Sequence, residues 1–118
     1  MSADLTVAVR EAQGLRVVVA LRGVMDFDTV GPLEAQLAGL VEQGHPHLVL
    51  DVAQVDFCDS TGLNIMLRMQ RVSSAAGGGV ALAGASASLR RVLELTGADA
   101  VLVDYATVPE AWDAVGRD

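Results

Sequence analysis

The N-terminal segment alternates between apolar and polar positions in a way that predicts two strands. The stretch "LTVAVR", Leu5–Arg10, alternates with a period of two, which is typical of a strand with one buried face. The stretch "LRVVVALRG", Leu15–Gly23, is richer in valine and indicates a more buried strand. Because the turn dipeptide Gln13-Gly14 lies between them, we predict a β-hairpin.

The hydrophobic period then changes to that of a helix in "DTVGPLEAQLAGLVEQG". The apolar residues of one predicted helical face are Val30, Leu33, Leu37, Leu40 and Val41. Asp28 or Thr29 is expected to cap the start of this helix, and Gly44 is expected to follow its end.

The rest of the chain predicts a regular alternation of strands and helices. A nearly continuous apolar run, Leu48–Val52, is typical of a parallel strand that is covered on both faces. A helix is predicted from about Ser60 to Ala75, followed by a strand in "GGVALAG", a helix in "SASLRRVLELTG", a strand in "AVLVDY" and a helix in "TVPEAWDAVG". The order ββαβαβαβα predicts an α/β fold with a mostly parallel sheet, and the length predicts a single domain over residues 1–118.

Composition narrows the functional classes. Hydrophobic residues make up 52% of the chain and aromatic residues only 3%, so we expect a core of Val, Leu, Ala and Met. The formal net charge of −7 argues against nucleic acid as a partner. A single cysteine, Cys58, excludes an intramolecular disulfide. Neither a signal peptide nor an apolar run long enough for direct membrane insertion is visible, so we expect a soluble, cytoplasmic protein.

The stretch "VDFCDSTGLN" contains the most informative residues. It begins as a predicted strand and ends as the first turn of a helix, with Asp59, Ser60, Thr61 and Gly62 at the junction. The acid and the hydroxyls could simply cap the helix, or they could form a chemical handle. Gly62 costs about 1 kcal/mol relative to Ala in a helix, which suggests that something approaches the backbone closely there.

Four other chemical interpretations are poorly supported by the sequence. Ser60 lacks the G-x-S-x-G pattern of a hydrolase, and His45 and His47 are expected at the opposite end of the sheet. The "HPH" pair has no third metal ligand, and "GGGVALAG" lacks the lysine of a phosphate-binding loop. Cys58 is more typical of a small core residue. We therefore predict no catalytic residue, no metal site and no cofactor.

Three segments resemble one protein family. "FCDSTGLN" resembles the D-S-[ST]-G-L motif of STAS-domain proteins, specifically the anti-sigma factor antagonists. "LRGVMDFDTVGPLE" is similar to the family's G-x-L-D-x-x-T segment, with Met25 where leucine is usual, and "LAGASASLRRVLELTGAD" is similar to its segment before the last strand. The resemblance implies a STAS fold, with a mixed, mostly parallel sheet of four to five strands and about four helices.

The resemblance also implies a switch and its partners. Ser60 matches the serine that is phosphorylated by an anti-sigma factor with serine kinase activity, and Thr61 is the alternative site. Asp26 matches an acid that lies near the phosphorylation site. The family domain has no catalytic activity. It binds the anti-sigma factor to release a sigma factor, phosphorylation ends the binding, and a serine phosphatase acting on phospho-Ser60 restores it.

The predicted partner-binding residues are Asp26, Asp59, Ser60, Thr61, Gly62, Ile65 and Met69. In the helix after the motif, Asn64, Arg68 and Arg71 form a narrow polar stripe, and the apolar arc is wider than one core requires. Either this helix is unusually buried, or the flank containing Ile65 and Met69 is partly exposed and binds the partner.

Two rival functions remain open. A STAS-type accessory subunit of a membrane transport ATPase complex would use the hydroxyl motif for structure or contact. A small enzyme that uses Ser60 as a nucleophile is disfavoured because no base is predicted nearby.

Overall fold

The computed structural model describes residues 4–116, so the ends of the predicted domain, residues 1–3 and 117–118, lie outside the described residues. The described residues form one five-stranded sheet in the order β1-β2-β3-β4-β5. The strands are β1 (Leu5–Gln13), β2 (Arg16–Met25), β3 (His47–Cys58), β4 (Gly79–Ala83) and β5 (Val103–Tyr105). Only β1 is antiparallel to its neighbour, so the prediction of a mixed, mostly parallel sheet is confirmed.

Four helices complete the fold: α1 (Gly31–Glu42), α2 (Ser60–Ala75), α3 (Ala87–Thr96) and α4 (Val108–Ala114). Buried residues of α1, α2 and α3, including Leu33, Met66 and Leu93, belong to the main core. A smaller core on the other side of the sheet joins Val18 and Val49 to Ala111 of α4, and Trp112 packs against it. The sheet is therefore covered on both faces, as the continuous apolar run of β3 predicted.

The predicted hairpin is confirmed. The pairing of Gln13 with Arg16 closes the turn, in which Gly14 has a positive φ of 58° that glycine adopts without strain. Helices α3 and α4 both lie within the segments that were predicted to be helical. Gly97 ends α3 in the left-handed conformation, and Thr107 caps α4 by accepting a hydrogen bond from the Glu110 N–H.

Two local predictions are wrong. Helix α1 begins after Val30 without a side-chain cap, because Asp28 and Thr29 belong to a tight turn that precedes the helix. The last strand contains only Val103–Tyr105, because Ala98–Ala100 forms a short 3₁₀ turn. Its pattern of valine and leucine is equally compatible with a strand and with a buried connection.

Of the two alternatives for α2, the structure shows the more buried helix, so the assignment of Ile65 and Met69 to the partner-binding surface is wrong. Ile65 is 4% exposed and Met69 is 0% exposed, so neither side chain can contact a partner on the surface. Helix α2 packs against both α1 and β4, and two packing neighbours require a wider apolar arc than one does. The polar stripe is confirmed, since Asn64, Arg68 and Arg71 are all exposed.

The core has the predicted composition. Its buried residues are aliphatic or methionine, and no aromatic side chain is fully buried among residues 4–116. Across the same part of the chain, no helix is both long enough and apolar enough to cross a membrane.

Candidate functional site

The candidate site lies where β2 and β3 end. Met25, the last residue of β2, pairs with Cys58, the last residue of β3. The Asp59 N–H donates to the carbonyl oxygen of Met25 at 3.0 Å, which ties the two strand ends together. The turn after β2 and the helix start after β3 therefore meet at the carboxyl edge of the sheet, the usual place for binding groups in α/β folds. The residues on either side of Asp26 both bond to Asp59, the residue directly before Ser60.

Asp59 is the cap of α2. One carboxylate oxygen, Oδ1, accepts hydrogen bonds from the Thr61 N–H at 2.9 Å and from the Gly62 N–H at 3.1 Å. The other oxygen, Oδ2, accepts from the Phe27 N–H at 3.3 Å, which connects the helix to the turn after β2. Asp59 therefore stabilises both the helix start and the neighbouring turn.

Ser60, in contrast to Asp59, does not stabilise the start of the helix through its side chain. It is the first residue of α2, its side chain is exposed, and its hydroxyl makes no hydrogen bond with any part of residues 4–116. The next hydroxyl, that of Thr61, belongs to a partly buried residue. The interpretation of the motif as a helix cap is therefore confirmed for Asp59, and it does not hold for Ser60, because Asp59 supplies the cap.

The turn after β2 is held by its own side chains. Asp26 Oδ1 accepts from the N–H groups of Asp28 and Thr29, at 2.9 and 3.1 Å. Thr29 Oγ1 donates to the carbonyl oxygen of Val24 at 2.7 Å and accepts from the Asp26 N–H at 2.9 Å. Asp26 and Thr29, the acid and the threonine of the G-x-L-D-x-x-T-like segment, therefore fix the conformation of this turn. Asp26 is only partly exposed.

Gly62 serves packing inside the molecule. A Cβ atom at this position would lie 2.9 Å from Cys58 Sγ and 3.0 Å from the carbonyl oxygen of Met25. The close approach that the sequence suggested is therefore that of α2 to the end of β2. Because Gly62 is buried, the prediction that it contacts a partner directly is wrong.

Cys58 is not a reactive thiol. Burial, and secondarily the negative charge of Asp59, raises the pKa of Cys58 to about 11. The side chain therefore stays protonated near neutral pH, and a protonated thiol is a poor nucleophile. Its Sγ donates a weak hydrogen bond to the carbonyl oxygen of Asp59 at 3.5 Å, as expected for a small residue at the margin of the core.

The two histidines lie at the far end of β3 from Ser60. His47 is the first residue of the 12-residue strand, and Ser60 lies two residues after its last residue, Cys58. His45 is used by the fold, because its Nδ1 lies 2.7 Å from the carbonyl oxygen of Gly14. Among residues 4–116, no group of His, Cys, Asp and Glu side chains is arranged to hold a metal ion.

Two residues at the site were not anticipated. Phe27 and Phe57 are the only phenylalanines in the chain, and they are 78% and 56% exposed. Both directly follow an aspartate in the two motif segments, "MDFD" and "VDFCD". Aromatic residues are rare in the chain, and both phenylalanines lie in the motif segments. This combination was the sequence feature that could have identified Phe27 and Phe57.

Known proteins resemble this chain in both sequence and fold. Residues 8–104 match the protein-family model described as "Mlab, STAS domain". The Bordetella bronchiseptica protein BtrV, named as an anti-sigma factor antagonist, is 30% identical over 80 residues, which are 68% of this chain and 69% of BtrV.

Solved structures agree with the sequence comparison. The crystal structure of an anti-sigma factor antagonist from Mycobacterium paratuberculosis superposes with a TM-score of 0.83 at 30% identity, over 94% of this chain and 93% of that one. Bacillus SpoIIAA, an anti-sigma factor antagonist, has a TM-score of 0.80 at 25% identity in its unphosphorylated form, over 92% of this chain and 94% of that one. The predicted STAS fold is thereby confirmed, and the chain belongs to the STAS-domain family of anti-sigma factor antagonists.

Proposed function

We propose that this protein binds an anti-sigma factor with serine kinase activity in the cytoplasm, so that a sigma factor is released. Phosphorylation of Ser60 by that same partner ends the binding, and a serine phosphatase restores it. The output is binding, without catalysis by this chain. The observation that carries the proposal is the exposed Ser60 hydroxyl, which the fold does not use, at an edge where Asp59 already caps the helix.

Accessibility favours Ser60 over Thr61 as the phosphate acceptor. A kinase must reach the hydroxyl oxygen, and Ser60 is exposed whereas Thr61 is partly buried. Modifying Ser60 also breaks no hydrogen bond of the described residues, so the phosphorylated protein keeps its fold. The existence of SpoIIAA structures in unphosphorylated and phosphorylated forms supports a switch of this kind in the family.

The electrostatics of the site explain how one phosphate could end binding. A phosphoserine adds a charge of about −1.5 to −2. The helix N–H groups of Thr61 and Gly62 are already bonded to Asp59, so they cannot also neutralise the phosphate. The new charge therefore adds to that of Asp59 at the docking surface. A penalty of about 2.7 kcal/mol would weaken binding roughly a hundredfold.

The acceptor is tested with the purified serine-kinase anti-sigma factors of the source organism. Each is incubated with ATP and the wild-type protein, Ser60→Ala or Thr61→Ala, and the phosphosites are mapped by tandem mass spectrometry. We expect phosphate on Ser60 of the wild type and of Thr61→Ala, and none on Ser60→Ala. Phosphate that persists on Ser60→Ala, or is found at Thr61 alone, would contradict the proposal. Stable association with a transport ATPase in place of every anti-sigma factor would support the rival function.

A further inference from the structure

We infer that Phe27 and Phe57 anchor the partner, and that the partner presents arginine or lysine side chains around an apolar recess. This inference rests on the proposed function and specifies the surface that performs it. We call this surface the aromatic edge, and its residues are Asp26, Phe27, Asp28, Asp56, Phe57 and Asp59.

Both phenylalanines of the chain are exposed, and both lie at the carboxyl edge of the sheet. The core contains only aliphatic side chains and methionine, yet the only two phenylalanines are 78% and 56% exposed. Phenylalanine is among the residues that proteins most often bury. Two such rings left in water at one edge indicate a contact surface rather than scattered surface residues.

Both phenylalanines lie close to Ser60 along the chain or through a hydrogen bond. The Phe27 N–H is hydrogen-bonded to Asp59, the residue directly before Ser60. Phe57 lies three positions before Ser60 and pairs with Val24 of β2. Three residues of extended chain span about 10 Å. A kinase that brings ATP to the Ser60 hydroxyl therefore covers the aromatic edge.

A small cleft beside Phe57 could receive one apolar side chain. Its volume is about 140 Å³, and its walls include Val55, Phe57, Leu89 and Val92. A cavity of roughly 150 Å³ is large enough to hold a benzene molecule. The aromatic edge thus offers a ring for insertion into the partner and a cleft that accepts a side chain from it.

The charges of the aromatic edge determine the chemistry of the partner. Residues 24–31 and 53–62 contain four aspartates, Asp26, Asp28, Asp56 and Asp59, and no basic residue. A complementary surface carries positive charge around its apolar centre, because like charges at an interface oppose docking. In many protein–protein interfaces, a few central aromatic residues supply most of the binding energy and are surrounded by a polar rim. Phe27 and Phe57, with the aspartates around them, have this arrangement.

The test is isothermal titration calorimetry with the purified serine-kinase anti-sigma factor that the wild type binds. Phe27→Ala and Phe57→Ala should each weaken binding by roughly 30-fold or more, the range of aromatic hot spots. The matched control is Leu95→Ala on α3, because Leu95 is 74% exposed and lies outside the aromatic edge. We expect this control to bind within about threefold of the wild type. Phe27→Leu and Phe57→Leu should recover part of the loss, and added salt should weaken wild-type binding.

The outcomes separate this inference from the proposed function. Failure of the wild type to bind any anti-sigma factor would overturn the proposed function and this inference with it. Wild-type binding that both alanine variants retain, with circular dichroism spectra unchanged, would overturn this inference alone. An equal loss in Leu95→Ala would also overturn it, because the effect would then belong to exposed apolar residues in general.

Discussion

The two ends of strand β3 both carry conspicuous polar residues, but the fold uses them differently. At the amino end, His45 bonds to the carbonyl oxygen of Gly14, and the N–H groups of His47 and Gly79 bond to the carbonyl oxygens of Leu15 and Pro46. At the carboxyl end, Asp59 and Asp26 accept hydrogen bonds from backbone N–H groups, and the Ser60 hydroxyl has no hydrogen-bond partner among residues 4–116. The comparison teaches that the groups available to another protein are those that the local structure does not need.

The largest effect expected in this comparison is on the alkylation rate of Cys58, whose thiol lies at the carboxyl end of β3. Its pKa is raised from 9.0 to about 11, so near neutral pH its thiolate population is about a hundredfold lower than that of an ordinary cysteine. We expect iodoacetamide to alkylate the native protein about a hundredfold more slowly at pH 8 than the urea-unfolded protein, as measured by mass spectrometry.

The raised pKa of Cys58 also predicts how stability depends on pH. Because the folded-state pKa lies above the unfolded value, the protonated thiol makes its full contribution to the free energy of unfolding below pH 9. That contribution is lost as the pH rises toward 11. Native alkylation as fast as that of the unfolded chain at pH 8 would mean that the carboxyl end offers a reactive thiol in addition to the Ser60 hydroxyl.

The next prediction tests the close packing of α2 against the carboxyl ends of β2 and β3. Gly62→Ala places a Cβ against Cys58 Sγ and the carbonyl oxygen of Met25, so we expect a loss of about 1–3 kcal/mol in the free energy of unfolding. The matched control is Gly39→Ala in α1, where a new Cβ meets nothing within 4 Å and a gain of about 0.4–1 kcal/mol is expected. Urea denaturation measures both. If the two variants were equally stable, the close approach at Gly62 would not be what excludes a side chain.

A smaller effect separates the two neighbours at the motif. Asp59→Ala removes the cap and the bond to the Phe27 N–H, which should cost about 1–2 kcal/mol. Ser60→Ala removes no hydrogen bond and should change stability by less than about 0.5 kcal/mol. Thermal and urea unfolding of the two variants decide the matter, with Asp59→Asn as a control that keeps a capping side chain. A larger loss in Ser60→Ala than in Asp59→Ala would reverse the assignment of cap and free hydroxyl.

Among the substitutions that remove a hydrogen bond, the smallest expected loss of stability lies at the amino end. His45→Ala removes one hydrogen bond to Gly14 and should cost about 0.5–1.5 kcal/mol of stability. Since β3 separates it from Ser60, the substitution should leave affinity for the anti-sigma factor unchanged. Calorimetric titration of His45→Ala serves as the control for the carboxyl end. A clear loss of affinity in this variant would contradict the conclusion that only the carboxyl end binds the partner.

The sequence predicted the architecture well, because local patterns carry that information. The hairpin, the start of α2 at Ser60 and the end of α3 at Gly97 each depend on neighbouring residues. The position of Asp26 near Ser60 was implied by the family resemblance. The structure adds the reason, which is that Met25 and Cys58 pair at the ends of adjacent strands.

What the sequence could not show depends on contacts between distant segments. Burial of Ile65 and Met69 follows from the packing of α2 against both α1 and β4, which the helical period alone does not specify. The sequence also could not distinguish Asp59 from Ser60 as the cap, because both residue types are favoured there. The exposure of Phe27 and Phe57 runs against the usual burial of phenylalanine, so it became visible only in the folded molecule.

The most direct test of the proposed switch compares two forms of one protein. Wild-type protein is prepared unphosphorylated and stoichiometrically phosphorylated on Ser60, and each form is titrated calorimetrically into the purified serine-kinase anti-sigma factor. We predict tight binding of the unphosphorylated form and binding roughly a hundredfold weaker for the phosphorylated form, with far-UV circular dichroism spectra that coincide. Equal affinities of the two forms would contradict the switch at Ser60.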